Sequence, residues 1–102
     1  MDIEKLKKQL DDFANERDWN QFHTPKNLSM ALCVEASELV EIFQWLTPEQ
    51  SNDIMSSKHG EHVGEEIADI MIYLVRMCDK LNLDLDSIVQ EKIIKNAIKH
   101  EK

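Results

Sequence analysis

Glycine and proline are almost missing from this sequence: Gly60, Gly64, Pro25 and Pro48 are the only ones in 102 residues. No Asn-Gly or Asp-Gly pair offers a two-residue hairpin, and no stretch alternates apolar and polar residues over strand length, so a β-rich fold is excluded. Cysteine is scarce too. Cys33 and Cys78 sit inside apolar runs, ALCV and VRMC, without the close Cys/His spacing of a zinc site. They read as two buried, reduced thiols of a cytoplasmic protein. The longest apolar stretch, Ile70 to Val75, is far below the roughly 20 residues of a membrane span. The opening MDIEKLKKQLDDF is charged throughout and does not read as a signal peptide. Positive charge is in short supply as well: 12 Lys and Arg against 20 Asp and Glu leave a net charge of −8. That balance argues against nucleic-acid backbones and anionic membranes as partners, and suits a bound cation. What is present, 42% hydrophobic and 31% charged residues, describes one small globular domain over residues 1–102. Its modest core leaves room for help from oligomerisation or a bound ion.

Apolar residues recur at intervals of three and four, which predicts an all-α fold with a four-helix core. Ile3, Leu6, Leu10, Phe13 and Ala14 mark a first amphipathic helix. A loop holding Trp19, Phe22, His23 and Pro25 leads to a second, from about Pro25 to Leu46. Thr47-Pro48-Glu49-Gln50 reads as a fresh start: Thr47 as N-cap, Pro48 at the first helical position, Gln50 completing a capping box. That helix is short. Ser56 to Gly64 (SSKHGEHVG) has no apolar stripe and is expected to be flexible. A long third helix runs from about Glu65 to Leu81, and a fourth begins near Asp86-Ser87.

Carboxylates stand where apolar side chains are expected. On the second helix Leu28, Ala31, Glu35, Glu38, Ile42 and Trp45 form one continuous stripe, with two acids in its middle. An unpaired ionised carboxylate in an apolar seam costs several kcal/mol, on the order of a small domain's whole stability. On the third helix Glu66, Asp69, Tyr73 and Met77 share a face, while Ile67, Ile70, Leu74, Cys78 and Leu81 line an adjacent one. A helix apolar over so much of its surface belongs at the centre. Four inward carboxylates on two neighbouring helices repel unless divalent cations lie between them. All four are hard oxygen donors, so Mg²⁺ is favoured, with Mn²⁺ as the substitute. A di-iron bundle would carry Glu-x-x-His instead. His59-x-x-His62 with Glu61 and Glu65 is better explained as a solvated loop.

The blocks RDWNQFHTPKNLSMALCVEASELVEIFQW (Arg17 to Trp45), EEIADIMIYLVRMCDKLNLDL (Glu65 to Leu85) and KIIKN (Lys92 to Asn96) resemble the all-α nucleoside triphosphate pyrophosphohydrolases. Within them the sequence is most similar to the short MazG-like proteins and the dCTP pyrophosphatases. The resemblance covers nearly the whole chain, and the Glu-x-x-Glu then Glu-x-x-Asp signature is met by Glu35, Glu38, Glu66 and Asp69.

The resemblance implies hydrolysis of a (deoxy)nucleoside triphosphate to its monophosphate and pyrophosphate, with Mg²⁺ held by those four acids and Glu38 as the base that prepares a water. It implies a nucleobase pocket walled by Trp19, Phe22 and Trp45, although a Trp at a helix end is by itself more often core. It implies contacts to sugar or phosphate from Tyr73, Lys92 and Asn96, and to the substrate from His23, Lys26 and Asn27 in the loop, where Asn27 also suits a helix cap. It further implies a homodimer or a homotetramer built as a dimer of dimers, with sites completed by neighbouring subunits. Lys95 and Lys102 suit a solvated face. Two departures stand out: His100 replaces an aromatic commonly found four residues past the Asn, and the Ser51 to Gly64 segment is longer than a compact hairpin needs. The alternatives are a hydrolase of another phosphoanhydride, such as dUTP or a ribonucleotide, and a non-catalytic helical module with a structural metal.

Overall fold

The structure, a computed structural model, describes residues 1–101; Lys102 lies outside the described residues. The chain forms α1 (Ile3–Glu16), a 3₁₀ turn (Asn20–Phe22), α2 (Pro25–Phe43), the short α3 (Pro48–Asn52), a second 3₁₀ turn (Ile54–Ser56), α4 (Gly60–Lys80) and α5 (Leu85–Lys99). No strand occurs among the described residues. The all-α expectation is what the chain adopts.

Side chains of the sequence set the helix ends. Asp2, Thr24, Thr47 and Asp84 each accept a hydrogen bond from the backbone N–H three residues on, satisfying a donor that the first turn leaves unpaired. At Thr47 the capping box is complete, since Gln50 Oε1 also accepts from the Thr47 N–H at 2.9 Å. The other ends use a less obvious device. Asp18 and Asn82 both have φ of 55°, and each sits just past a helix end. Trp19 N–H bonds to Ala14 O at 2.9 Å and Asp18 N–H to Asn15 O at 3.2 Å; Leu83 and Asn82 repeat the pattern on Cys78 and Asp79. These are Schellman motifs closed by Asp and Asn instead of glycine.

α2 packs along α4, and α1 lies across the C-terminal part of α4. Leu28, Ala14, Val63, Val75 and Cys78 form the buried centre. Arg76, only 2% exposed, is buried with them. Its guanidinium reaches Asp11 on α1 (3.2 Å), Asn20 in the first 3₁₀ turn and His23 Nδ1 just beyond it. Lys7 is pinned in the same region by its bond to Leu83 O at 3.0 Å.

Several boundaries and faces differ from the sequence expectation. α2 ends at Phe43 instead of Leu46, because the Thr47-Pro48 start turns the chain away. α4 begins at Gly60, so the second half of the segment expected to be flexible is its first turn; Gly60 is buried against the Met55 backbone. α5 starts at Leu85, since Asp84 and not Asp86-Ser87 supplies the cap. Cys33 is exposed, while Cys78 is buried. Of the adjacent apolar face of α4, Ile67, Leu74 and Leu81 are exposed. α5 has no buried residue and touches the remainder sparsely. The radius of gyration is 16.4 Å, against about 13 Å for a compact domain of this length.

Candidate functional site

The seam between α2 and α4 brings the acids together. Glu35, Glu38 and Glu66 each offer a carboxylate oxygen within 4.8 Å of the others. The i, i+3 spacing on α2 puts Glu35 and Glu38 on the face that meets α4, and Glu66 approaches from the opposite helix. Glu66 is 5% exposed. Glu35 Oε2 and Glu66 Oε2 are both buried without a hydrogen-bond partner. Contact with the Glu66 carboxyl, burial and the Glu66 and Asp69 charges push the Glu35 carboxyl above the usual carboxylate range. Orphaned carboxylate oxygens buried side by side are a costly arrangement for a protein alone. Hard oxygens converging at this spacing fit a divalent cation.

Asp69, one turn further along α4, stands outside that triad. It lines a cavity of about 430 Å³ walled by Leu10, Phe13, Trp19, His23, Ile72, Tyr73 and Arg76. Burial, followed by the charges of Glu35 and Asp69, raises the Tyr73 hydroxyl above its ordinary value, which keeps it a hydrogen-bond donor. Glu38 lines a second depression with Met30, Cys33, Val34, Ser37 and Glu41. The cavity thus borders Asp69, and the second depression borders the triad at Glu38.

Three elements converge on the aromatic wall of the cavity. The Schellman turn after α1 places Trp19, whose ring meets Phe13 edge-on at 5.6 Å and His23 at 6.2 Å. The Arg17 guanidinium lies 3.4 Å from the centre of the Phe13 ring, a cation–π contact at the mouth. Behind the wall, Arg76 donates to His23 Nδ1 through Nε at 3.3 Å and through Nη2 at 3.2 Å. Burial and the Arg76 and Lys80 charges hold His23 below its ordinary value, so the ring is neutral.

The structure therefore gathers Glu35, Glu38, Glu66, Asp69, Tyr73, Trp19 and His23 into one region. It does not gather the others within a single chain. Trp45 is 85% exposed, because it stands in the turn beyond α2 instead of on its stripe. Phe22 is exposed and outside the cavity lining. Lys26 points to solvent, and Asn27 is used locally: its Nδ2 donates to Phe22 O at 3.0 Å, while the helix cap is Thr24. Lys92 and Asn96 lie exposed on α5 and line neither depression.

Two residues at the site escape the sequence reading. Arg76 continues the series Glu66, Asp69, Tyr73 at spacings of three and four, and a cation on that stripe was the available signal. His62, expected in a solvated loop, is on α4 and its Nε2 lies 3.1 Å from Glu66 Oε1.

Residues 30–102 match the MazG-like family, and the chain belongs to it. It is similar to dCTP pyrophosphatase 1 of Bos taurus, 39% identical over 95 residues that make up 92% of this chain and 56% of the relative. The Homo sapiens protein of the same name is 39% identical over 92 residues, 89% of this chain and 54% of the relative. The chain thus spans about half the length of the curated relatives it matches. A solved pyrophosphatase from Archaeoglobus fulgidus DSM 4304 shares the fold, with a TM-score of 0.91 at 38% identity over 100% of this chain and 94% of that one.

Proposed function

We propose that this protein hydrolyses (deoxy)nucleoside triphosphates to the monophosphate and pyrophosphate, with a dCTP- or dATP-like preference, as a cytoplasmic house-cleaning enzyme. The observation that carries the reading is the pair of orphaned buried oxygens on Glu35 and Glu66 beside a cavity walled by Trp19, His23 and Tyr73. Its relatives named dCTP pyrophosphatase and pyrophosphatase support it. Two free thiols suit a reducing compartment, and no helix among the described residues is long and apolar enough to cross a membrane.

Glu35, Glu38, Glu66 and Asp69 would hold Mg²⁺, or Mn²⁺ in its place. The cation supplies charge neutralisation at the phosphates and a lowered pKa for a bound water. The protein's own groups do the remainder. Glu38 takes the proton of the water that attacks the α-phosphorus in line, while the bond from that phosphorus to the β-bridging oxygen breaks and pyrophosphate leaves. Trp19 stacks on the base; stacking accepts any base, so selection falls to nearby polar groups. Tyr73 donates its hydroxyl to sugar or phosphate.

Trp45, Phe22, Lys26, Asn27, Lys92 and Asn96 enter this reading through assembly. A homodimer, or a homotetramer formed from two dimers, brings them to a neighbouring subunit's site. The exposed apolar rows on α2, α4 and α5 and the sparse seating of α5 support that arrangement.

The test is pyrophosphate release from dCTP, dATP, dUTP and dTTP, with and without Mg²⁺. Turnover of at least one, lost with EDTA, is expected; no turnover at micromolar enzyme sinks the reading. Glu38→Gln should lower turnover by about 10²-fold or more and leave the thermal midpoint in place. An active variant removes Glu38 from the mechanism.

A further inference from the structure

His23 faces the cavity with one ring nitrogen committed. Arg76 brings two N–H groups to Nδ1, from Nε at 3.3 Å and from Nη2 at 3.2 Å. A guanidinium has donors only and cannot be deprotonated in a protein. Nδ1 must therefore carry the lone pair and Nε2 the proton. Nε2 has no protein partner among the described residues, and the ring that bears it lines the cavity beside Trp19.

Arg76 is itself fixed on every side. Asp11 on α1 accepts at 3.2 Å, Asn20 Oδ1 accepts from Nη2, and Asp79 on its own helix lies 3.8 Å away. The Asn20 amide is oriented in turn, because the same oxygen takes Lys80 Nζ at 3.1 Å while its nitrogen donates to Asn15. A 2% exposed arginine held this way is a costly device if its only task is to join three elements.

We infer that Arg76 is a positioning residue that locks His23 as its Nε2–H tautomer, so that His23 presents a fixed donor to a carbonyl or ring-nitrogen acceptor on the edge of a bound nucleobase. The inference rests on the nucleotide reading of the cavity. It supplies the polar discrimination that stacking on Trp19 lacks. A neutral histidine free to exchange tautomers offers a donor for part of the time and an acceptor for the remainder; a locked one rejects bases whose facing edge carries a donor. The low proton affinity of His23, from burial and the Arg76 and Lys80 charges, keeps Nδ1 available to accept.

The experiment is ¹⁵N NMR of the histidine rings in the full chain at neutral pH, first without nucleotide. His23 is expected to show a protonated Nε2 and an unprotonated Nδ1. The opposite tautomer, or an averaged mixture, overturns the inference without any variant being made. A dCTP analogue with NH in place of the α,β-bridging oxygen is then added; the Nε2–H resonance should move, and an unmoved resonance also overturns it. In Arg76→Met, if folded, the ring should become a tautomer mixture, and KM should rise by about tenfold with kcat kept within about twofold. A structural role alone would lower the thermal midpoint without touching the tautomer. The two readings fail separately. A locked His23 in a protein that turns over no nucleotide defeats the hydrolase reading, and turnover with mixed tautomers defeats the assignment to Arg76.

Discussion

At the scale of single residues, the molecule gives up stability where it is most acidic. Glu35 and Glu66 each bury a carboxylate oxygen without a hydrogen-bond partner, and the Glu35 carboxyl resists ionisation because of the neighbouring Glu66, burial and the Asp69 charge. Replacing Glu35 by the neutral isostere Gln removes one acid from the cluster of Glu35, Glu38 and Glu66 and adds an amide donor. In EDTA, Glu35→Gln should therefore be more stable than the parent by about 1–2 kcal/mol, while Mg²⁺ no longer raises its thermal midpoint. Calorimetry with and without Mg²⁺ checks both halves, and a variant less stable than the metal-free parent contradicts the account. The two glycines make a second residue-scale pair. A Cβ on Gly60 would stand 2.9 Å from Met55 O and 3.1 Å from its Cα, whereas one on Gly64 would meet nothing within 4 Å. Gly60→Ala should cost about 1–3 kcal/mol, because backbone on the other side must move. Gly64→Ala, in the body of α4, should gain about 0.5–1 kcal/mol. Urea midpoints of opposite sign are the expected result.

At the scale of elements, the junction of α1, the Asn20–Phe22 turn and α4 depends on one arginine and responds to pH. His23 holds its proton less tightly in the fold than at its ordinary value of 6.5, so the unfolded chain binds a proton first. Its stability contribution is complete above about pH 6.5 and drains away as pH falls toward the folded value. Asp11, lowered from 3.8 mainly by its hydrogen bond to Arg76, adds a loss that begins only below about pH 4. Glu35 acts in the opposite sense: its raised value favours the metal-free fold at low pH and withdraws that support as pH rises through the folded value. The difference in urea midpoint between the parent and His23→Gln isolates the first effect. It should shrink as pH falls from 7.5 to about 5.5, and a constant difference rules it out. The same junction marks the limit of what the sequence discloses. Helix starts were legible because their chemistry is local: Thr47, Pro48 and Gln50 lie within four residues. The ends after α1 and α4 were not, since Asp18 and Asn82 do the work usually signalled by glycine. The Glu35/Glu38 pair announced itself by standing in an apolar stripe. Arg76 stands on the acid stripe of α4, yet its hydrogen-bond partners are 53 to 65 positions away in sequence, and no local pattern reveals them. Gly60 read as a loop because its burial depends on a tertiary approach to Met55.

At the scale of the whole molecule, the single chain leaves apolar helix faces in water. α5 leaves Val89, Ile93, Ile94 and Ile98 between 44% and 69% exposed, and α2 presents Met30, Val34 and Val40 on its outer side. Apolar spacing of three and four marks a helix, but it cannot tell a neighbour in the same chain from one in another. Each such side chain forgoes roughly half of the about 1.5–3 kcal/mol that full burial supplies, a large sum over seven residues beside the few kcal/mol that hold a small domain together. Charge points the same way: Lys92, Lys95 and Lys99 lie on α5, while Glu38 and Glu41 border the depression on α2. If a second copy covers these faces, the thermal midpoint should rise with protein concentration and sedimentation should give a dimer or tetramer at micromolar chain. Ile94→Lys with Ile98→Lys, two changes one turn apart that are far too exposed to disturb the core, should shift that equilibrium to monomer. They should also lower turnover per chain, because Lys92 and Asn96 on the same helix would no longer reach a neighbouring site. A parent chain that sediments as a monomer throughout, or a monomeric double variant with full turnover, would mean that each acid cluster works alone and that the apolar face of α5 serves some other contact.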